Sequence, residues 1–460
     1  MSGAQQAEGG RRDHWIGIEA DYQDKPGHPS EYLYKVSRED LATHALLLGK
    51  TGSGKTVCLT HLVAGAILRK ESFVLVDARG DQVNDVLNLL AGRVEPERVK
   101  VIDLRDSTPH MGFNPLYGSG LAHKRALNVL ETIRSMNDGW GVQLEETLRN
   151  FLTGMAECYA PLTELERALY DPDYRELLIG WTRTENVKAF ITRFHEMRED
   201  RQTSLAMPVM NKVSSLFATR KLREILQDQN SINLYEHLET RGNIVLVSLA
   251  IDETAGVGRA FGSMFLGCLT QTMFERVTEP EQYRPPVMLV LDEFSHFADE
   301  DIGVILAEGR RFGFSVVLAH QTLSQVSPHL RSMTLGNVGV KFVFRLGRDD
   351  SQTMSADMTG DPRAIDFTKL RVGTCIAQKG NFPLVGVEIN APIGSGGGLD
   401  ADGQDYLQAV HRKHPNWQYN DPVTEVMMEN LEYLREMMQD AKRQSREKQA
   451  EVGTSLEDWI

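Results

Sequence analysis

From about residue 41 onward the chain alternates between short unbroken apolar runs and longer stretches with helical spacing. The runs are Ala45–Leu48, Phe73–Asp77, Val99–Leu104, Ile244–Leu249, Val287–Leu291, Ser315–His320 and Val340–Leu346. Runs of Val, Leu and Ile without polar alternation suit strands covered on both faces, so they predict a mostly parallel sheet. The helical patterns between them predict crossover connections and hence an α/β fold. Two later runs, Thr374–Gln378 and Leu384–Ile389, lie close together and predict a hairpin at the sheet edge.

Elsewhere the pattern changes. Residues 1–40 are polar and punctuated by Gly and Pro, with one candidate strand at Trp15–Ile18, and read as an N-terminal extension. Residues 117–237 hold no strand-like run, but repeat apolar positions at helical spacing, as at Leu127, Leu130 and Ile133 and at Leu222, Ile225 and Leu226. An all-helical insertion is expected there, dividing the sheet domain into 41–116 and 238–393. Gly394, Gly396, Gly397 and Gly398 predict a flexible linker over 394–400. In the final segment, 401–460, Asp421 and Pro422 predict a helix start. Met427, Leu431, Leu434, Met438 and Ala441 then form a two-heptad apolar seam, too short for a free-standing coiled coil. This helical C-terminal tail is expected either to dock on its own domain or to recruit a partner protein.

Composition narrows the class. A chain of 460 residues is longer than one core usually holds, and 41% apolar with 25% charged residues is ordinary globular usage. No apolar run approaches the ~18 residues of a membrane helix, and the first residues lack a secretory segment. A cytoplasmic protein with no intrinsic membrane segment is the expectation. Cys58, Cys158, Cys268 and Cys375 are scattered without metal-ligand spacing, which argues against a disulfide scaffold or a zinc site. The net charge of −14 excludes a protein that coats nucleic acid by bulk charge. It leaves room for a grip through a local basic channel.

The strongest chemical signal is Gly49-Lys50-Thr51-Gly52-Ser53-Gly54-Lys55-Thr56, which fits G-x-x-x-x-G-K-[ST] after an apolar strand and before a helical pattern. The glycines let successive N–H groups turn toward phosphate oxygens, and the helix N-terminus adds its dipole. Lys55 is expected on the β- and γ-phosphates of ATP and the Thr56 hydroxyl on Mg²⁺. Asp292 and Glu293 follow a five-residue apolar run and supply the second carboxylate site. Asp292 is expected to hold Mg²⁺ through its water shell, and Glu293 to polarise the attacking water. Alone, such a pair also fits an exposed acidic turn.

The segment Gly309-Arg310-Arg311-Phe312-Gly313-Phe314-Ser315-Val316-Val317-Leu318-Ala319-His320-Gln321 resembles the G-R-x-x-G-x-x-V-V-x-x-x-Q segment of the HerA/FtsK superfamily. It is most like the coupling ATPases of conjugation and type IV secretion. Val76-Asp77-Ala78-Arg79-Gly80-Asp81 is similar to that family's D-P-[KR]-G-D, with Ala78 in place of Pro, and Phe113-Asn114-Pro115-Leu116 to its F-N-P-L. The resemblance runs from about Leu41 to Pro392. It implies a RecA-like P-loop NTPase working as a hexameric ring, with DNA, expected to be duplex, through its pore. It further implies Gln321 as sensor of the γ-phosphate and Arg310 as the residue reaching a neighbour's site, with Arg311 its local rival.

Two departures stand out: coupling proteins usually begin with transmembrane helices, and HerA proteins with a β-barrel. Some relatives also carry an Arg before the loop strand, where this chain offers only His44. Arg345 is a substitute or an ion-paired surface residue. Asp77 and Asp81 fit either a site lining or a turn and helix cap. Arg220, Lys221 and Arg223 fit either a channel or a solvated helix face. Two other functions remain open at this level. One is an ATPase that transports or remodels protein; the other is a nucleotide-regulated scaffold recruiting a nuclease.

Overall fold

The computed structural model describes residues 14–19, 33–105, 111–217, 219–228, 231–254, 256–297, 300–391, 393 and 397–413. In chain order its strands are β1 (His14–Glu19), β2 (Leu33–Val36), β3 (Ala45–Leu48), β4 (Ser72–Asp77), β5 (Val99–Asp103), β6 (Ile244–Ser248), β7 (Val287–Asp292), β8 (Phe314–His320), β9 (Val340–Val343), β10 (Thr374–Lys379) and β11 (Val385–Ile389). They form one sheet in the order β2-β1-β11-β10-β9-β3-β8-β7-β4-β6-β5. From β9 to β5 every pairing is parallel, and from β9 back to β2 every pairing is antiparallel.

The unbroken apolar runs divide by alternation between two cores. Leu46, Leu48, Val74, Val76, Leu289 and Leu291 face one side of the sheet; Ala45, Leu47, Phe73, Leu75, Met288 and Val290 face the other. This split is the two-residue period of a strand, buried on both faces. The first face is covered by the helices between β5 and β6, by Gly256–Glu275 and by Glu300–Glu308. The second is covered by Lys55–Leu68, Asp81–Leu90 and Ala401–Arg412.

Between β5 and β6 the described residues form helices, from Ala122–Ser135 to Leu234–Glu239, and no strand. Asn114 fixes the way into this region. Its Nδ2 donates to the carbonyls of Tyr159 and Ala160 at 3.2 and 3.1 Å, and its Oδ1 accepts from Leu116 N at 3.0 Å. Arg125, buried, donates to the carbonyls of Leu116, Ser119, Gly120 and Ala156.

Three expectations need correction. The hairpin β10–β11 does not lie at the sheet edge, because β1 pairs with β11 and β2 with β1. Within the N-terminal extension, His14–Glu19 and Leu33–Val36 are therefore sheet. β11 offers unpaired N–H and C=O groups that a further strand satisfies. Gly17 permits the close approach: a Cβ there would fall 2.4 Å from Glu388 O. Finally, the described end of the expected linker is held in place. The Gly397 and Gly398 carbonyls accept from Asn84 Nδ2 and Asn88 Nδ2, each at 2.8 Å. Helix Ala401–Arg412, capped by Asp400, then buries Tyr406, Leu407 and Val410 in the second core. Asp421, Pro422 and the seam from Met427 to Ala441 lie outside the described residues.

Among the described residues no helix is long and apolar enough to cross a membrane. All four cysteines are free.

Candidate active site

β3 sits between β8 and β9, and its loop begins as a continuation of both ladders. Gly49 N donates to His320 O at 3.1 Å and Lys50 N to Arg345 O at 3.0 Å. The chain then turns through Gly52 (φ 72°) and Gly54 (φ 107°), backbone that L side chains rarely adopt. Space excludes side chains as well: a Cβ at Gly49 would lie 2.6 Å from Ser53 Oγ, and one at Gly54 3.0 Å from Gly373 Cα. Helix Lys55–Leu68 follows with no side-chain cap, so no side chain competes for its first N–H groups. Ser53 Oγ is buried without a partner among the described residues. Such a loop is a built cradle for anionic oxygens.

The cradle opens on a cavity of about 470 Å³. Thr51, Gly52, Gly54, Lys55 and Thr56 line it together with Asp77, Asp292, Glu293 and Gln321; Ser53 lies beneath. The apolar side chains of Val372 and Ile393 stand exposed at its rim. The donor set suits the expected ligands. A hydroxyl at Thr56 and a carboxylate at Asp292 are hard oxygen donors of the kind Mg²⁺ takes, and the glycine cradle suits phosphate.

β7 brings the two acids to the cavity. Lys55 Nζ lies 2.7 Å from Glu293 Oε1 and 3.5 Å from Asp292 Oδ1. Burial raises the Asp292 carboxyl to about 6; Lys55 pulls against this, and Asp77 and Glu293 add to it. Burial also acts to raise Glu293, but hydrogen bonds from His320 and Lys55 and the Lys55 charge outweigh it and hold that carboxyl at about 2. Glu293 has left-handed backbone (φ 51°, ψ 45°), unusual outside glycine and a known mark of functional positions. Its N–H donates to Ala319 O at 2.9 Å, which locks the turn to the end of β8. Gln321 stands one residue past β8, where its Oε1 accepts from Thr51 Oγ1 at 2.9 Å.

Arg310 is not at this cavity. It lies in the turn Gly309–Phe312, at the other end of β8. Seven strand residues at ~3.3 Å each separate it from Gln321 by about 20 Å. Its side chain is exposed and makes no hydrogen bond or ion pair among the described residues. Arg311, by contrast, pairs with Glu308 at 3.1 Å and stacks over Phe312 at 4.7 Å.

The other candidates resolve structurally. His44 is buried, accepting at Nδ1 from Val316 N (3.0 Å) and meeting Leu306 O through Nε2 (3.1 Å), so it braces rather than reaches. The Arg345 carbonyl anchors the loop of its own chain. Asp77 accepts from the N–H groups of Arg79, Gln82 and Val83 and caps helix Asp81–Leu90, while Asp81 lies open to the cavity. Arg220 and Arg223 are exposed, the first paired with Glu224 at 2.8 Å and the second donating to Phe217 O, while Lys221 is buried. One residue of the site went unassigned in the sequence reading: His320, whose ring meets Glu293. Its only signal is its place beside Gln321 at the end of the strand next to the acidic pair.

Comparison with known proteins gives the family and the fold. The family described as the type IV secretion-system coupling protein DNA-binding domain matches residues 34–370. The type 4 coupling protein DotL of Legionella pneumophila is 22% identical across 69% of this chain and 49% of its own length. The chain thus spans about half the length of that curated relative. Among solved structures, the bacterial conjugative coupling protein TrwBdeltaN70, unbound, superposes with a TM-score of 0.56 at 16% identity, covering 80% of this chain and 88% of that one. TrwB in complex with ADP and Mg²⁺ gives 0.54 at 16% identity over 84% and 97%. VirB4 of Thermoanaerobacter pseudethanolicus gives 0.50 at 13% identity over 82% and 96%. These likenesses establish the fold: a RecA-like P-loop domain.

Proposed function

The chain belongs to the family of type IV secretion-system coupling protein DNA-binding domains, and on that premise we propose that it is an ATPase that drives DNA through the pore of a hexameric ring. One observation carries the reading: Lys55, Asp292, Glu293 and Gln321 converge on one cavity, while the exposed Arg310 stands at the far end of β8. An exposed arginine so far from the site of its own chain fits one that serves another copy.

In this reading the loop N–H groups of Gly49–Thr56 and the Lys55 ammonium bind the triphosphate. Thr56 and Asp292 would hold Mg²⁺, which when bound would supply neutralisation of the phosphate charge. Glu293, ionised, orients water for attack. Gln321, already bonded to Thr51 of the loop, reports whether the γ-phosphate is present and passes that state along β8 toward Arg310. Arg310 of one subunit stabilises the charge that develops in the next subunit's site, so firing in one site depends on its neighbour. That coupling is what a directional motor needs.

The DNA grip rests on phosphate contacts and is therefore blind to sequence and weakened by salt. Work in the cytoplasm, where ATP is abundant and thiols stay reduced, fits the four free cysteines. A tail beyond Lys413 that binds a partner protein completes the proposal. The test is displacement of a third strand from duplex DNA: a moving ring strips it in an ATP-dependent way and Glu293→Gln does not. A chain that hydrolyses ATP on DNA but never strips the strand is not a translocase.

A further inference from the structure

His320 ends β8, is wholly buried, and touches both halves of the site. Its carbonyl accepts from Gly49 N, the first N–H of the phosphate loop, at 3.1 Å. Its ring Nδ1 lies 3.1 Å from Glu293 Oε2. The carboxylate can only accept, so Nδ1 carries the ring proton. Nε2 has no partner among the described residues, and the ring packs 5.2 Å from Phe294. The ring is thus fixed by packing, and its Nδ1 is directed at Glu293, with Ser295 Oγ farther off at 3.5 Å. The two oxygens of Glu293 are thereby distinguished: Oε2 is tied to the end of β8, whereas Oε1 meets the ammonium of Lys55, a long side chain that lines the cavity.

We propose that His320 is a positioning residue for hydrolysis: its Nδ1–H clamps Glu293 Oε2, so that Oε1 alone turns to the attacking water. The clamp is needed because Glu293 is at a left-handed turn outside β7, where the strand no longer fixes its rotamer. His320 does not touch nucleotide. It works through Glu293, and through its carbonyl it keeps the acid in register with the loop that holds the phosphates. The inference rests on the ATPase reading above.

The experiment compares three variants of the full chain by steady-state ATP hydrolysis on duplex DNA, nucleotide binding and thermal midpoint. Asn places its amide nitrogen where Nδ1 stands; Gln places its own where Nε2 stands; Leu has neither. His320→Asn is expected to retain most of the wild-type kcat. His320→Gln and His320→Leu are expected to lose about ten- to a hundredfold, the worth of one hydrogen bond to a charged group. The KM for ATP and the nucleotide affinity stay within about twofold in all three, because substrate binding is untouched. Should His320→Leu fail to fold, the polar Asn and Gln pair, each checked by its thermal midpoint, decides alone. Equal kcat for Asn and Gln, or a loss that appears in KM instead of kcat, overturns the clamp. A wild-type chain that binds ATP and never hydrolyses it overturns the parent reading as well, a different and separately visible result.

Discussion

The Lys55 ammonium lies 2.7 Å from Glu293 Oε1, so the cation meant for phosphate and the acid meant for water share one contact. The pair is buried, with both side chains under a tenth exposed, and so it is no incidental surface bridge. Breaking it from either side has different consequences. Lys55→Ala removes the main cation for the triphosphate, and nucleotide binding measured by a fluorescent ATP analogue should fall to background. Glu293→Gln keeps binding and should lose about 10²–10⁴ in hydrolysis, the range of a general base. Near wild-type turnover in Glu293→Gln would remove that residue from the chemistry.

Arg310→Ala should bind ATP normally and hydrolyse it at least ~10²-fold more slowly, since such fingers are worth ~10³–10⁵ in rate in well-studied cases. Mixing it with Lys55→Ala tests action between subunits. Each chain alone is inactive, yet at a mixed interface the Lys55→Ala subunit supplies the arginine that the Arg310→Ala site lacks. Recovered hydrolysis is expected; none at any mixing ratio would place Arg310 outside the mechanism.

His44 gives the fold an acid limit. Burial, reinforced by nearby Arg310 and opposed by the Leu306 carbonyl, pushes its ring down to about 4. In the unfolded chain it titrates near ~6.5, so between those values the unfolded state binds a proton that the native state refuses. Stability is therefore full above about pH 6.5 and falls as pH drops toward 4, by up to about 3 kcal/mol from this group. Urea midpoints measured across that window should show the slope. His44→Gln should flatten it, and an unchanged slope would assign the loss to other groups.

Much of this was legible beforehand because parallel strands buried on both faces leave unbroken Val, Leu and Ile runs, and because a phosphate cradle demands glycines at fixed offsets. β3, β4, β7 and β8 and the loop Gly49–Thr56 follow from that. Other parts leave no such trace. Trp15–Ile18 reads as a strand and becomes the middle of β1, but β2 is short and flanked by polar residues, and the free edge of β11 explains how both join the sheet. The left-handed turn at Glu293 and the His320 contact belong to tertiary structure, since the partners come from different strands. Gly397 and Gly398 read as free linker in sequence, and only the facing Asn84 and Asn88 show them held.

The docked C-terminal helix ties truncation to stability. Leu407 and Val410 are buried against Asp81–Leu90 and its surroundings, and Tyr406 donates to Val94 O at 2.8 Å. Leu407→Ala should destabilise the domain by about 2–5 kcal/mol. A chain cut after Gly398 should lose more, seen as a lowered thermal midpoint. Unaltered stability in the truncated chain would mean that this helix is an accessory.

The account stands or falls on whether DNA drives the ATPase. The decisive measurement is the steady-state rate of ATP hydrolysis by the full chain, with and without long duplex DNA, across a series of salt concentrations. The rate should rise severalfold with DNA at low salt, lose that rise as salt releases the phosphate contacts, and vanish in Lys55→Ala. A rate that stays flat while the same DNA demonstrably binds would contradict a DNA-driven motor.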